Sequence, residues 1–275
     1  MTYKLLTLNI RSEGIRNLSL LQGCLALESF ALKDADGLIN LEATEHDVFL
    51  EIVAWLGKCE RLRELSFKKL ISAPTILTHV CLNNNTRLRK LEVVDYPLKN
   101  NQDFHKALSH QSTLESLCLA ADAEEVFRDD IDTVVSSVCQ LTKLTNLDLC
   151  GAADYFRSPE IIRLASSLKE LETLTFTGYD IKDSVWPAIS GLHNLRALTV
   201  QALTSFRFDG ILNYISTLQP TNQGLILSVL SQNGEFDLND KDKSVIRESI
   251  RDKVDGRFEF ELYRDVESDI DSDSD

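Results

Sequence analysis

The feature that most restricts the fold of this chain is a six-residue pattern, Leu-x-x-Leu-x-(Leu, Phe or Val). Full copies begin at Leu62, Leu88, Leu114, Leu144, Leu171 and Leu195, and looser copies begin at Leu5 and Leu27. Between its second and third apolar residues the pattern alternates with the two-residue period of a β-strand. The copies recur about every 22 to 35 residues, an interval typical of stacked structural repeats.

One copy is too small to bury its own apolar row, so the copies must stack, and a parallel sheet grows along the stack. Burying each leucine contributes about 1.5–3 kcal/mol, and these rows therefore dominate the local stability. The segments between the copies read as helices. For example, Ser158-Pro159-Glu160 predicts a helix start with Ser158 as the N-cap, followed by a first-turn proline and an acidic residue. Two more strands are expected at 225–230 and 258–263. The sequence predicts an α/β solenoid with about nine to ten parallel strands.

With these residues the chain resembles leucine-rich-repeat proteins from Leu5 to Tyr263. The resemblance implies a horseshoe with a parallel concave sheet and helices on the convex side. Cys24 and Cys59 stand three residues before their copies, which is similar to the cysteine-containing repeats of F-box proteins, the substrate receptors of cullin-based ubiquitin ligases. The long, irregular repeats and the acidic tail resemble fungal members of that group. Other copies depart from it, because residues such as Gln111 replace the cysteine and no F-box is visible.

We expect residues 1–264 to form one solenoid, in which residues 225–264 are an irregular C-terminal cap. No polar cap is visible ahead of the first strand, so either that strand is an exposed edge or a further module precedes the repeats; the second is favoured. Residues 265–275 carry no basic side chain and are expected to be an acidic disordered tail. Ser268 and Ser272 each precede an Asp by three residues, the pattern of acidophilic kinases. Phosphorylation and an inert solubilising tail are both open.

The charge balance limits the possible partners. A net charge of −14 argues against nucleic acid and an anionic membrane surface as ligands, and favours a basic or neutral protein. The sequence contains neither an apolar run long enough to span a membrane nor a signal peptide. The six cysteines form no metal-binding or redox pair. We expect a monomer in the cytoplasm or nucleus.

Motifs for catalysis are missing from the sequence. There is no phosphate-binding glycine loop, no His-Glu-x-x-His and no nucleophile elbow. The five histidines are scattered and are expected at the surface or at helix ends. We therefore expect no enzyme activity, no catalytic or metal-binding residue, no cofactor and no small-molecule substrate.

The candidate partner site combines strand residues with the loops that follow the strands. Outward-facing strand residues, including Asp148, Thr175 and Thr199, are expected on the concave face. The loops carry aromatic and arginine side chains, the types that dominate interface energetics. The loop candidates are Tyr96, Tyr155, Phe156, Arg157, Tyr179, Asp180 and Arg207, with Phe206 and Phe208 beside the last. Alternatively, the phenylalanines pack beneath the helices as core.

These observations favour a non-catalytic protein-interaction module. The resemblance implies the substrate-recognition part of an F-box-like ubiquitin-ligase receptor. A second hypothesis is a free-standing acidic leucine-rich-repeat regulator that binds basic proteins. The third and least supported is an enzyme whose residues assemble across repeats.

Overall fold

The computed structural model describes residues 4–10, 14, 18, 21–35, 40–122, 126–232 and 238–262. Ten strands within these ranges form one sheet, in which the order of the strands follows the chain and every neighbouring pair is parallel. The strands are β1 (Leu5–Ile10), β2 (Ser29–Asp34), β3 (Glu64–Lys68), β4 (Lys90–Pro97), β5 (Ser116–Asp122), β6 (Asn146–Leu149), β7 (Thr173–Lys182), β8 (Ala197–Ser205), β9 (Ile226–Ser231) and β10 (Arg257–Leu262).

From β2 onwards, helices connect consecutive strands and cover one face of the sheet. They are α1 (Leu41–Thr44), α2 (His46–Lys58), α3 (Ala73–Leu82), α4 (Gln102–Leu108), α5 (Arg128–Val138), α6 (Ser158–Ser167), α7 (Trp186–Ile189), α8 (Phe208–Thr217) and α9 (Asp240–Val254), with 3₁₀ turns at Asp183–Val185 and Pro220–Asn222. None of these helices has the length and apolar character needed to cross a membrane.

The repeated leucines align across the sheet. The second leucine of each full copy pairs in register with the second leucine of the following copy. These leucines are Leu65, Leu91, Leu117, Leu147, Leu174 and Leu198, and Leu198 pairs in turn with Leu227 of β9. Each of these side chains is buried between sheet and helices, in one continuous hydrophobic core. The predicted fold, an α/β leucine-rich-repeat solenoid, is confirmed.

The position three residues before each copy explains why the cysteine pattern is incomplete. Gln111 is buried there, and its side chain donates to the carbonyl of Cys81 at 2.7 Å and accepts from the backbone N–H of Leu88 at 3.0 Å. Asn222 is buried before Leu225 and donates to two carbonyls of the preceding repeat at 3.1 and 3.0 Å. A buried amide satisfies backbone groups between repeats, so the position does not require cysteine.

The sheet continues to the last described strand. β9 and β10 pair in register, and β10 turns Phe258 and Phe260 into the core while Glu259 and Glu261 face solvent. The division of the chain into a solenoid of residues 1–264 and a tail of residues 265–275 remains a prediction. Ser268 and Ser272 lie outside the described residues.

The start of α6 differs from the prediction. Ser158 is the first helical residue rather than the N-cap, which is Arg157. The Ser158 hydroxyl instead accepts from the backbone N–H of Lys182 in the next repeat at 2.9 Å. Glu160 accepts from the backbone N–H of Arg157 at 2.8 Å and so provides the cap.

Candidate protein-binding surface

The outward face of the sheet carries a row of residues from adjacent strands. In this row Glu92 pairs with Cys118, Cys118 with Asp148, Asp148 with Thr175, and Thr175 with Thr199. All five are partly exposed, because the helices cover only the opposite face. Asp148, Thr175 and Thr199 therefore lie together where the sequence placed them.

Hydrogen bonds hold the acidic part of this row in place. Glu92 accepts from Lys68 at 2.7 Å and from Ser66 at 2.8 Å. Burial by itself raises the pKa of the Glu92 carboxyl, but the hydrogen bonds from Lys68 and Ser66 lower it, and the net shift is downward. Glu92 therefore remains charged.

Asp148 and its cysteine neighbours complete the row. One Asp148 oxygen accepts from the backbone N–H of Cys150 at 3.0 Å, and the Cys118 sulfur lies 3.8 Å from the other. Burial, with the nearby Asp148 and Glu92 charges, raises the pKa of the Cys118 thiol to about 12. Cys118 thus stays a protonated, weakly nucleophilic thiol at neutral pH, and the row offers hydrogen-bonding groups rather than a reactive one.

At the carboxyl ends of the strands, side chains from three repeats form a groove of about 530 Å³. We name it the strand-end groove; it is lined by Val126, Arg128, Ile131, Tyr155, Arg157 and Tyr179. Tyr155 is 52% exposed and Tyr179 is 51% exposed. The Arg157 guanidinium lies 6.0 Å from the centre of the Tyr179 ring, at the limit of a cation–π contact.

The loop between β6 and α6 lies against both neighbouring repeats. Gly151 has a φ of 80°, and a Cβ at this position would lie 2.8 Å from the carbonyl oxygen of Ala121, so the turn requires glycine. Farther along, the carbonyl of buried Phe156 accepts from the backbone N–H of Tyr179 at 2.7 Å. This bond sets Tyr155 and Arg157 beside Tyr179.

The two arginines of the groove differ in their charge environment. Arg128 donates to Glu160 at 2.6 Å and to Asp132 at 3.3 Å, so its charge is balanced within the protein. Arg157 contacts the Tyr179 ring and forms no ion pair with any residue that the structure describes. The Arg157 guanidinium therefore remains available to a partner.

Tyr96 is not part of this surface, and its prediction as a loop residue is wrong. β4 extends through Tyr96, and Asp95 before it has a φ of 58° with a register shift against β5. This bulge turns the Tyr96 ring into the core, where its hydroxyl lies 3.2 Å from Nε2 of His105. His105 lies in the last turn of α4, one of the two positions expected for the histidines, but it is fully buried rather than exposed. Desolvation lowers its pKa to about 4, although the Asp130 charge opposes the shift.

The phenylalanine candidates are mostly core residues. Phe156 and Phe206 are buried, and Phe208 is partly buried against the core, which favours the alternative left open by the sequence. Asp180 lies within β7 rather than in a loop, and its carboxylate pairs with Lys182 at 3.0 Å.

Arg207 belongs to a different groove. It is exposed, and with Asp183, Trp186 and Tyr214 it lines a groove of about 640 Å³ near the starts of α7 and α8. The Trp186 and Tyr214 rings stack in that groove with centroids 4.8 Å apart. The structure thus brings Tyr155, Arg157 and Tyr179 together and leaves Arg207 apart.

The side of the groove formed at and just before the start of α5, by Val126, Arg128 and Ile131, is not among the positions predicted from the sequence. A signal for Arg128 does exist in the sequence. The dipeptide Phe-Arg occurs immediately before or at the start of three helices, at 127–128, 156–157 and 206–207. Within the described ranges, no cluster of three or more His, Cys, Asp or Glu residues is suited to hold a metal ion.

Comparison with known proteins supports the fold. No protein-family model and no curated protein matches the chain. The chain is similar to a chain in the crystal structure of the Rad7 and Elc1 complex in yeast, with 18% identity over 93% of this chain and 62% of that chain, and a TM-score of 0.58. Weaker similarity exists to a protein from Bacteroides fragilis (13% identity, 87% and 66% coverage, TM-score 0.49) and to an internalin from Listeria monocytogenes (14%, 69% and 59%, TM-score 0.37).

The chain spans between 59% and 66% of the length of those three chains. At such low identity the similarity to the yeast chain shows a common fold and nothing further about activity. The class defined here is therefore the leucine-rich-repeat solenoid.

Proposed function

We propose that this chain is a non-catalytic protein-recognition module, which binds a protein partner through the strand-end groove and the neighbouring outward row of the sheet. The observation that carries the proposal is the meeting of Tyr155, Arg157 and Tyr179 in one groove, although they come from two repeats. Tyrosine and arginine concentrate binding energy in protein interfaces. Thr175 and Thr199 add small polar groups that allow a partner to approach the sheet closely.

The finer proposal is that the chain recognises substrates for an F-box-like ubiquitin-ligase receptor. The cysteines at positions 24 and 59 support it by resemblance. The fold similarity to a chain of the Rad7 and Elc1 complex, in which two proteins assemble, is compatible with it. We propose that the protein acts without a cofactor, as a monomer, in the cytoplasm or nucleus.

The test begins with a photo-crosslinking amino acid placed at position 155 or 179 in the native cell, and at position 50 as a control. Leu50 is exposed on α2, away from the groove. The crosslinked partner is identified, and its affinity is measured for Tyr155→Ala combined with Tyr179→Ala and for Leu50→Ala. We expect at least about a tenfold loss for the double variant and none for the control. Equal affinities in folded variants would place the site elsewhere.

The ligase proposal needs a separate measurement. If it is correct, the partner is ubiquitinated by a cullin-based ligase that co-purifies with this chain, and the double tyrosine variant reduces that modification. If the partner binds the groove but no ligase co-purifies and the partner is not ubiquitinated, the recognition proposal stands and the ligase proposal is contradicted.

A free-standing acidic regulator of basic proteins is the second candidate, and the net charge of −14 favours it. In that case binding falls steeply with salt and with removal of residues 265–275. It would also be insensitive to the tyrosine variants, because charge rather than the groove would hold the partner.

A further inference from the structure

The charged side chains that line the strand-end groove are positive, although the net charge of the whole chain is negative. The chain is strongly acidic, yet the groove is lined by two arginines, two tyrosines and two aliphatic residues, without a carboxylate. Electrostatic interactions between exposed charges are screened beyond about 8 Å at physiological salt. The groups lining the groove, rather than the net charge, therefore decide which segment it accepts.

The anion-binding group in the groove is the guanidinium of Arg157. It presents up to five N–H donors in a planar fork that matches a carboxylate, and none of them donates to a described residue. The Tyr179 ring lies 6.0 Å from it, at the limit of a cation–π contact, so the charge and the aromatic surface face the same groove. The charge of Arg128 is already balanced by Glu160, so Arg128 lines the groove without offering an unpaired charge.

Acidic side chains of the protein itself already lie at the helix N-termini beside the groove. Asp130 accepts from the backbone N–H of Phe127 at 3.2 Å at the start of α5. Glu160 does the same for Arg157 at the start of α6 at 2.8 Å. An incoming carboxylate would meet these negative charges at either helix start, so the Arg157 side chain is the more favourable place for it.

The remainder of the groove is suited to an apolar side chain. Ile131 is buried and Val126 is partly buried, so together they form an apolar floor. The rings of Tyr155 and Tyr179 are half-exposed above it, and neither hydroxyl is hydrogen-bonded to a described residue. Apolar surface thus lies next to an unpaired cation.

We propose that the strand-end groove binds an acidic segment of a protein partner, with a carboxylate on Arg157 and an adjacent apolar side chain against Val126, Ile131 and the two tyrosine rings. This inference rests on the proposed function, since it names the chemistry of the segment that the same groove recognises. It differs from the basic partner that the net charge alone predicts.

The experiment selects ligands from a displayed library of random 12-residue peptides on the full chain, with the double variant Tyr155→Ala/Tyr179→Ala for counter-selection. We expect the groove-dependent peptides to carry Asp or Glu next to an aliphatic or aromatic residue. The best peptide is then compared with its twin in which the carboxylates are replaced by amides, on the wild-type chain and on Arg157→Gln. Arg87→Gln, at an exposed position outside the groove, is the matched control.

If the carboxylate binds Arg157, the amide twin and the Arg157→Gln variant each weaken binding about tenfold on their own. On the Arg157→Gln chain the peptide and its amide twin should differ less than about twofold, because the coupled pair is already lost. Arg87→Gln should leave both affinities unchanged.

Basic or neutral groove-dependent peptides would overturn the proposal, as would acidic peptides that bind equally well to Arg157→Gln, or no groove-dependent peptide at all. Acidic peptides that bind only after removal of residues 265–275 would identify the chain's own tail as the occupant and overturn the assignment to a partner. The two proposals can fail separately. A crosslinked partner that does not use the groove contradicts the proposed function, whereas a groove-bound partner segment without acidic residues contradicts only this inference.

Discussion

The guanidinium of Arg128 donates to the carboxylate of Glu160 at 2.6 Å, across the boundary between two repeats. Arg128 belongs to α5 and is 56% exposed at its side chain, whereas the Glu160 side chain, in α6, is only 1% exposed. The same carboxylate accepts from the backbone N–H of Arg157. One buried acid thus connects the two arginines of the strand-end groove and fixes the entry of the chain into α6.

Replacing this acid should destabilise the solenoid. Glu160→Ala removes a helix cap and a charge-assisted hydrogen bond, and we expect the free energy of unfolding to fall by about 2 kcal/mol. Exposure of Arg128 reduces the ionic part of this effect. The measurement is urea denaturation followed by circular dichroism. Asp132→Ala is the control, because Asp132 pairs with Arg128 at the surface, and it should cost less than about 0.5 kcal/mol. Equal costs would contradict the role of the buried carboxylate.

The buried His105 predicts a pH-dependent contribution to stability. Its pKa is about 4 in the folded protein, below the value of 6.5 for a free histidine. The unfolded chain therefore binds the proton first as the pH falls, so the contribution is complete above pH 6.5 and is lost between 6.5 and about 4. From pH 7.5 to 5, His105 should lower the free energy of unfolding by about 2 kcal/mol.

Two variants isolate that contribution. His105→Gln lowers stability at all pH values, but the additional loss from pH 7.5 to 5 should shrink by about 2 kcal/mol relative to the wild type. His110→Gln, at an exposed histidine, should retain the wild-type loss. If the two variants show the same change with pH, His105 is not the titrating group.

The leucine rows were predictable from the sequence because their spacing states the strand period directly. The backbone path of β4 and β7 after the last apolar residue of the pattern was not predictable in this way. Asp95 and Asp180 adopt positive φ values of 58° and 60°, where glycine is the usual residue, and each coincides with a register shift in the sheet. Tyr96 follows Asp95 and is buried, whereas Tyr179 precedes Asp180 within the second shift and remains exposed. The apolar spacing cannot distinguish these two tyrosines, since the difference is whether the tyrosine follows or precedes the aspartate with positive φ.

The central leucine row gives a test of the fold itself. Leu147 is buried and pairs with Leu117 and Leu174 in the adjacent strands. Leu147→Asp places a carboxylate in this row without a partner, and we expect a loss of about 4 kcal/mol or more and unfolding of the central repeats. Asn146→Asp introduces the same side chain one residue earlier, at an exposed position, and should have little effect. Limited proteolysis would show cleavage near β6 for Leu147→Asp alone; a protected Leu147→Asp would contradict the burial of this row.

The carboxylate of Asp183 accepts from the backbone N–H of Arg207 at 3.2 Å and from the Trp186 indole at 3.1 Å, so a residue of one repeat caps helix α8 of the next. Gly210 makes room for it, because a Cβ at position 210 would lie 2.4 Å from the Asp183 carboxyl carbon. Glycine-to-alanine changes inside helices normally stabilise by roughly 0.5–1 kcal/mol. We expect the opposite sign here, with Gly210→Ala lowering the free energy of unfolding by about 1 kcal/mol, since it displaces the cap. In an Asp183→Ala background the same change should become stabilising. A double-mutant cycle by chemical denaturation measures this reversal, and additive effects would show that Asp183 and Gly210 do not act together.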